Sequence, residues 1–443
     1  MRYPSILFLV TLLSAALAAP LGAQERHFTL EECVRYAELH NAGIRGSEAE
    51  AEVAMADYRD AIGALLPNVS AGTSAYINFG RGIDPTTNTY TTINSFRNSY
   101  NIQGSLLLFD GLSSVYELKG RRSDRLSADE QLRKTVRDVR MSAIEAYYNL
   151  LYTKELRRLS EENLRNSSEL ARQAERMYEL GMKAPADVAE ARATMAKDKK
   201  AVIDRSNQLE IALLQLKAVM NYPIDSLLVV TDSLTYGEVS PTLLGADEVY
   251  PQALHSLPEA RISEYQTESL RNRYLGSKGA FVPRISLFAG FDTGFSFFMD
   301  GSPYESFADQ LRNRRGGYVG VSLTFDLFTG MRKVNGLKRA RARYIAGQHK
   351  QEEENRALYK SIQEAILNHN AAVETYRAAL ENAGHLKVVF DTAYQNYKVG
   401  HASSLDLSIA SARYKEARAE VAHAYTMCLL RRKWVKYYTT SNF

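Results

Sequence analysis

Two short segments of the chain contain a tyrosine, a glycine and an aspartate in the same order. The first is YELGMKAPADV at 178–188 and the second is YKVGHASSLDL at 397–407, so Asp187 and Asp406 each come six residues after the glycine. Carboxylates are charged at neutral pH and attract cations. In the first turn of a helix they also stabilise the exposed backbone amides, and Ser403-x-x-Asp406 has the pattern of a capping box. The residue types therefore allow a cation-attracting site or two helix caps, and both interpretations stay open.

No other motif of the chain points to bond chemistry. The sequence contains no GxxxxGK[ST], HExxH or GxSxG motif, and no GxGxxG in a strand-to-helix setting. Its eight histidines have no ligand spacing, and its two cysteines, Cys33 and Cys428, belong to no CxxC pair. We therefore predict no catalytic, cofactor-binding or metal-binding residue, no cofactor and no enzyme activity. Pairing of the two cysteines is left open.

The composition is that of a large folded chain without a concentrated charge. Of 443 residues, 45% are hydrophobic and 24% are charged, which is enough to bury a substantial core. Lysine and arginine number 55 against 51 acidic residues, and the net charge of +4 is spread along the chain. Because nucleic-acid binding usually needs a concentrated basic face, nucleic acid is not an expected partner.

The N-terminus has the pattern of a secretory signal. Arg2 is followed by an almost wholly apolar stretch at 5–18, and small residues follow at Ala18 and Ala23. This stretch is too short to span a bilayer, which takes about 20 apolar residues. We predict a signal peptide at 1–23 and export from the cytoplasm.

The rest of the chain contains the same pattern twice. Pro67 matches Pro283 at an offset of 216, and LFDG at 108–111 matches LFTG at 327–330 at an offset of 219. The two tyrosine–glycine segments share the offset of 219, so the length between the paired glycines is equal in both copies. The predicted domains are a first structural repeat at 24–235 and a second at 236–443.

Each copy is predicted to contain a long helical hairpin. Between the paired glycines both copies lack proline and are rich in Ala, Leu, Glu, Arg, Lys and Gln, which favour helices. A continuous helix of this length would extend about 100 Å and would need lateral partners. A second helix follows each tyrosine–glycine segment. The predicted helical hairpins are 112–221 and 331–438.

A strand hairpin is predicted before each helical hairpin, at 69–110 and at 284–328. In 285–297, large apolar residues alternate with small or polar ones over the length of a membrane strand. The alternation is weaker in the second strand of the first hairpin, where Leu107 and Phe109 interrupt it. Glycine- and asparagine-rich loops at 81–97 and 299–316 are expected to join the strands.

Four strands cannot close into a membrane barrel. Unpaired backbone groups at the two open edges would cost several kcal/mol each in lipid, and the smallest bacterial barrels have about eight strands. If the strands span a membrane, two, three or four copies must supply 8, 12 or 16 strands. The alternative from the strand pattern alone is a soluble sandwich with one buried face.

The order of these parts resembles the TolC-like outer-membrane efflux proteins over nearly the whole mature chain. The resemblance implies a mainly α fold with a small membrane β part, in which duplicated long-helix hairpins form an α-barrel. It further implies that the four strands of each chain contribute to a trimeric 12-stranded transmembrane β-barrel. The implied location is the outer membrane, with extension into the periplasm.

The resemblance also assigns roles to the two tyrosine–glycine segments. It implies that they lie at the periplasmic mouth, where Asp406 and Asp187 are candidate gate residues and three copies of Asp406 would form a carboxylate ring. The implied adaptor-docking candidates are Tyr178, Gly181, Tyr397 and Gly400. The best-known gate of the family has an arginine after the tip glycine and a second acidic residue beyond the aspartate. Ala402 and Ile409 occupy those places here, so the same salt-bridged closing mechanism is not implied.

The function implied is that of a passive duct in a tripartite efflux or type I secretion system. Its expected partners are two further copies of the chain, a periplasmic adaptor, an inner-membrane pump and outer-membrane lipid. The main alternative is a periplasm-spanning coiled-coil stalk or adhesin without a conducting pore. The duplicated membrane-strand pattern favours the pore, because a stalk would instead need sustained apolar seams.

The strand pattern predicts which loops face the outside of the cell. Both 85–92 and 302–307 join strands whose other ends lead into periplasmic helices. A cysteine placed at Thr89 should therefore react with a membrane-impermeant thiol reagent in intact cells. Labelling that appears only after lysis would reverse the predicted topology.

Overall fold

The computed structural model describes residues 26–83, 88–92 and 94–440. The predicted signal peptide, and residues 84–87 and 93 of the first strand loop, lie outside the described residues. The chain divides into two compact units. Within the described residues, unit 1 comprises 26–47, 132–257 and 357–440, and unit 2 comprises 48–83, 88–92, 94–131 and 258–356. Each unit takes segments from both halves of the chain, and the repeat boundaries at 235 and 236 stay a prediction.

Helices make up most of the described chain. They are α1 (Leu30–His40), α2 (Ala42–Gly63), α3 (Ser113–Glu179), α4 (Pro185–Met220), α5 (Ala246–Ser256), α6 (Pro258–Ser277), α7 (Phe307–Asn313), α8 (Arg332–Lys398) and α9 (Ser404–Thr439). Helices α3 and α8 have 67 residues each, and α4 and α9 have 36 each. The two long helical hairpins are thus confirmed, with equal lengths in the two copies. None of these helices is long and apolar enough to cross a membrane.

The described strands form three small sheets. They are β1 (Arg26–Phe28), β2 (Asn68–Asn78), β3 (Arg81–Ile83), β4 (Tyr90–Thr92), β5 (Ser95–Phe109), β6 (Leu228–Val230), β7 (Arg284–Phe298) and β8 (Gly316–Thr324). The largest sheet lies in unit 2 and has the order β2-β5-β7-β8, with every neighbouring pair antiparallel. The four strands and their two hairpins are as the sequence predicts, which confirms the mainly α fold class with a small β part.

The core of unit 1 packs α1 against parts of α3, α4 and α9. Tyr147, Leu216 and Met220 are among its fully buried side chains. The short parallel pair of β1 and β6, which the sequence analysis does not predict, borders this core. Cys33 and Cys428 are both free and buried, so they form no disulfide. Burial raises the pKa of the Cys33 thiol to about 12 and that of Cys428 to about 11.

The registers of the large sheet place most of the apolar residues of the four strands on one face. Paired residues of antiparallel strands share a face, and successive residues alternate between faces. We call this the apolar face; its residues include Val69, Ala71, Ile77, Phe96, Tyr100, Ile102, Leu106, Ile285, Leu287, Phe291, Phe295, Phe297, Val319, Val321 and Leu323. The opposite face is mainly polar and carries Ser70, Ser74, Arg97, Ser99, Asn101, Gln103, Ser105, Ser286, Asp292, Ser296, Ser322 and Thr324, together with Leu107, Phe288, Phe298 and Tyr318; we call it the polar face.

A β-bulge explains the weak alternation in β5. Leu107 pairs with Ser286, but the next pair is Phe109 with Ile285, so Leu108 is an extra residue on β5. A bulge shifts the side-chain alternation by one residue. The bulge therefore keeps Phe109 on the same face as Ile285.

The two strand loops contain more structure than predicted. Strands β3 and β4 form a two-stranded extension in the first loop, and α7 occupies part of the second. Helix α7 begins at a local N-cap, where Asp309 N–H donates to Ser306 Oγ over 3.2 Å. The expectation of simple glycine- and asparagine-rich connections at 81–97 and 299–316 is therefore too coarse.

Glycines allow a close approach where the strands of unit 2 lead into helices. Gly111 lies between β5 and α3 with a φ of +70°, and a Cβ atom there would lie 2.7 Å from Gly279 Cα. Its counterpart Gly330, before α8, has a φ of +58° but no heavy atom within 4 Å of such a Cβ. The counterpart of Gly279 is Gly63, which also has nothing within 4 Å. One of the two equivalent contacts is thus made within the chain, and the other is open.

Candidate functional site at the helix tips

Both tyrosine–glycine segments form the same helix-ending turn in unit 1. Gly181 and Gly400 have φ angles of +74° and +84°, which glycine adopts without the steric cost that a side chain would bring. After α3, Gly181 N–H donates to Tyr178 O over 2.9 Å and Met182 N–H to Met177 O over 2.8 Å. The corresponding bonds after α8 are 3.2 and 2.8 Å long. This pattern is a Schellman motif, which satisfies the last carbonyl groups of a helix.

The two tyrosines of these turns have different environments. Tyr397 is only 6% exposed, and Lys183 Nζ lies 4.1 Å from the centre of its ring. This cation–π contact joins the turn after α3 to the end of α8. Tyr178 is 48% exposed. Tyr397 therefore holds the two tips together, whereas Tyr178 presents its ring to the surroundings.

Asp406 caps α9. Its Oδ2 accepts from Ser403 N–H over 3.2 Å and from Ser403 Oγ–H over 2.7 Å, while Asp406 N–H donates to Ser403 Oγ over 3.2 Å. These bonds form the predicted capping box, and they hold the pKa of Asp406 below its ordinary value. Its Oδ1 makes no hydrogen bond to any described residue, and the residue is exposed. The cap therefore keeps the carboxylate ionised while one oxygen stays open to solvent.

Asp187 caps α4 and also contacts the other tip. Its Oδ2 accepts from Ala184 N–H over 3.2 Å, and its Oδ1 accepts from Ser404 Oγ–H over 3.2 Å. Both oxygens are thus used, and the residue is only partly exposed. Two positions that are equivalent in sequence therefore differ in the number of oxygens left for a ligand.

An ion pair continues the contact between α4 and α9. Eleven residues beyond Asp187 and Ser404 along the two helices (187 to 198, 404 to 415), Lys415 Nζ donates to both oxygens of Asp198 over 2.8 and 3.0 Å. Three helical turns span about eleven residues, so these contacts recur on the same side of each helix. This ion pair was not predicted from the sequence, because Asp198 and Lys415 lie 17 and 15 residues after the two tip glycines and are not equivalent positions of the repeat.

A second ion pair joins α3 to α9. Arg418 donates to both carboxylate oxygens of Glu162 over 2.8 Å each, and these bonds lower the pKa of Glu162. Glu162, Arg418 and Lys415 line a cavity of about 330 Å³, together with Phe390 and Tyr414. Both ion pairs are partly buried, so removing one partner would leave a charge without its counter-charge and would destabilise the fold.

The tips also present an apolar surface. Leu180, Met182, Val399 and Leu405 are all more than three-fifths exposed, with Leu180 at 74%. We call these four residues the apolar tip surface. Exposed apolar side chains grouped in this way are typical of surfaces that bind another protein.

Comparisons with known proteins all match outer-membrane proteins. The family model described as "Outer membrane efflux protein" matches residues 34–222 and 249–429. The chain is 22% identical over 372 residues to "Outer membrane efflux protein BepC" of Brucella suis biovar 1, covering 83% of this chain and 74% of the relative. It is 21% identical over 406 residues to "Outer membrane protein TolC" of Escherichia coli K12, covering 89% and 78%. The fold is similar to that of the Campylobacter jejuni CmeC outer membrane channel, with a TM-score of 0.81 at 15% identity over 94% of this chain and 86% of that one.

The unequal burial of the two tip tyrosines leads to a prediction. Tyr397→Ala should destabilise the tips by about 3 kcal/mol, because it removes a buried ring and its cation–π contact. Tyr178→Ala is the matched control and should change local stability by less than about 0.5 kcal/mol. Hydrogen exchange of the amides at 176–190 and 396–408 measures both effects. Equal protection in the two variants would contradict the assigned difference.

Proposed function

The chain belongs to the outer membrane efflux protein family, and on this premise we propose that three copies assemble into one conducting pore. The protein is an outer-membrane efflux channel that extends into the periplasm, and it is not an enzyme. Members of this family act with adaptor proteins and inner-membrane pumps in tripartite systems. The proposed parts are the number of copies, the register between them, and the roles of the tip residues.

The observation that carries the proposal is the single apolar face of the four-stranded sheet. In a membrane, apolar strand faces turn to lipid and polar faces turn to a water-filled lumen. Many side chains of the apolar face are exposed in the single chain, among them Val69, Val319 and Leu323. The outer strands β2 and β8 each have one unpaired edge, which in lipid requires a partner strand.

The internal duplication supplies that partner and its register. Asn68 pairs with Ser105 in the first hairpin, and Arg284 pairs with Thr324 in the second. The first members differ by 216 and the second by 219, the same offsets that relate the two sequence copies. The two hairpins therefore have equivalent registers.

Transferring the contact between the hairpins gives the contact between copies. Tyr100 of β5 pairs with Thr293 of β7. Adding 219 to the first number and subtracting 216 from the second places Val319 of β8 opposite Ile77 of β2 in a neighbouring copy. Both residues belong to the apolar face, as a continuous sheet requires. The same transfer sets Gly330 against Gly63 of the next copy, where each glycine has open space in the single chain.

Cysteine cross-linking tests the number of copies and the register together. The Ile77→Cys/Val319→Cys variant should form disulfides between chains, giving a ladder that ends at three. Within one chain the two positions lie at opposite edges of the sheet, three strand spacings of about 4.8 Å apart, which is too far for a bond. The native cysteines are buried with raised pKa values and should not interfere.

The matched control is Thr73→Cys/Val319→Cys, which keeps the same face but shifts the register by four residues. It should cross-link far less. Equal cross-linking of the two variants would reject the register, and a ladder that ends at two or four would reject the trimer.

We propose that Asp406 contributes to a gate at the periplasmic mouth. Its free Oδ1 and lowered pKa support an exposed negative charge at neutral pH, and three copies would add these charges around one axis. Asp187 has both oxygens occupied, which supports a smaller part in ion selection and a larger one in joining the tips. Tyr178, Gly181, Tyr397 and Gly400, with the apolar tip surface, are the proposed docking region for a periplasmic adaptor.

Replacing the two aspartates separates these roles. Asp406→Ala should weaken cation preference and block by multivalent cations in planar-bilayer recordings, whereas Asp187→Ala should change both less. Each replacement should also cost about 0.5 to 1 kcal/mol of helix stability through lost capping, so the folded fraction is measured in parallel. If the Asp406→Ala channel assembles and keeps wild-type selectivity and block, the aspartate acts only as a cap.

A further inference from the structure

Helix α7 covers one end of the apolar face. This end contains the start of β5 and the end of β7, and it is opposite to the end where β5 leads towards α3. Thr293 Oγ–H donates to Leu311 O over 2.7 Å. The ring of Phe307 lies 5.2 Å from that of Phe295. The chain around α7 therefore lies on the side of the sheet that we assign to lipid.

A buried glutamine fixes this segment to the sheet. Strand β8 reaches only to the pair of Gly316 with Asp292, so the end of β7 has no neighbour on that side. Gln310 occupies the free edge: Ser296 N–H donates to its Oε1 over 3.0 Å, and its Nε2 donates to Ser296 O over 3.0 Å. Its side-chain amide thus replaces a neighbouring peptide group, and the residue is 1% exposed. The segment around α7 is therefore attached to the sheet by hydrogen bonds to β7.

The exposed residues of this segment combine aromatic rings with arginines. Tyr304 and Phe307 are about half exposed, although their rings contact those of Phe297 and Phe295. Arg312 and Arg315 are exposed at the end of α7 and just beyond it. We call Tyr304, Phe307, Arg312 and Arg315 the rim patch.

The carboxylates near the rim patch leave its arginines largely available. Asp309 Oδ2 accepts from Ser306 Oγ–H over 2.6 Å in the helix cap, and its Oδ1 lies 3.9 Å from Arg312, at the outer limit of an ion pair. Asp300 accepts from Ser302 N–H in a turn, and Glu305 is exposed. Among the described residues, none places a carboxylate within ion-pair distance of Arg315. Arg97 and Arg314 are near the same strand ends but belong to the other side, since Arg97 is a residue of the polar face and Arg314 donates to Ser296 Oγ on that face, so they are not part of the rim patch.

We propose that the rim patch binds the phosphate groups of an anionic lipid in the outer leaflet of the outer membrane. Aromatic rings prefer the level of lipid headgroups, and guanidinium groups form paired hydrogen bonds with phosphate oxygens. The patch is continuous with the apolar face, so a lipid with its chains against the strands would have its headgroup at these arginines. The proposal rests on the proposed orientation of the sheet, with the apolar face towards lipid and α7 on the outer side.

The test uses the purified full-length protein in nanodiscs that contain either a bisphosphorylated glucosamine lipid or its dephosphorylated form. Native mass spectrometry counts bound lipid during titration. The Arg312→Ala/Arg315→Ala variant should bind the phosphorylated lipid roughly ten- to thirtyfold more weakly than the wild type. Each arginine near an anionic lipid surface strengthens binding by roughly three- to fivefold, and the variant loses two. The dephosphorylated lipid should bind weakly to both proteins.

The matched control is Arg356→Ala. Arg356 is an exposed arginine on α8 with an equally long ion pair, 3.9 Å to Glu352, and it lies far along the chain from the sheet. Its replacement should leave lipid binding unchanged. Unchanged binding in the double variant, or equal binding of the two lipids, would overturn the proposal. Displacement of the lipid by millimolar inorganic phosphate would also overturn it, since it would indicate a simple ion site.

Conductance of the same samples separates this proposal from the proposed function. If the double variant conducts like the wild type and binds lipid equally well, the lipid site is wrong and the channel stands. If the wild type itself gives no channels, the proposed pore is wrong whatever the lipid result.

Discussion

The structure depends on the need to pair every backbone group of a sheet that enters lipid. Four strands pair three interfaces and leave two edges, which water could satisfy in a soluble protein but hydrocarbon cannot. The same constraint explains why the end of β7 is not left bare beyond β8. There the side-chain amide of Gln310 takes over the hydrogen bonds of a missing strand. The backbone groups at the outer edges of β2 and β8 thus need a further strand, whereas those of Ser296 are already paired by Gln310.

In the proposed assembly, the duplication also determines which residues of neighbouring copies pair. Because both hairpins have the same internal register, the pairing of β5 with β7 defines a contact that can be repeated indefinitely between copies. A repeated heterologous contact closes into a ring when its rotation allows. Gly111 against Gly279 shows how closely the backbones approach at this contact. In the proposed assembly, Gly63 and Gly330 of neighbouring copies would make the equivalent contact.

Much of the fold was predictable because the relevant signals are local and repeated. The 67-residue helices follow from composition and the absence of proline, and the tip turns follow from Gly181 and Gly400. The bulge at Leu108, the pair of β1 with β6 and helix α7 were not predicted. Each depends on contacts outside its own segment, such as those of Gln310 with Ser296, which periodicity within a segment does not report.

The candidate site shows the limit of reasoning from a repeat. Equivalent positions in the sequence imply equivalent roles, yet Tyr178 is half exposed while Tyr397 is buried. The cause lies in residues that differ between the copies: Lys183 follows the first tip and stacks on Tyr397, whereas the matching place after the second tip is Ala402. The ring of Tyr178 therefore has no matching cation.

The same divergence separates the two aspartates. Ser404, whose hydroxyl binds Asp187, occupies the place that Pro185 has in the first tip, and a proline has no hydroxyl to offer Asp406 in return. Both oxygens of the first aspartate consequently accept hydrogen bonds within the chain, and the second keeps an exposed oxygen. The exchange of Pro185 for Ser404 between the copies thus leaves Asp187 in a contact between the tips and Asp406 with one oxygen open to solvent.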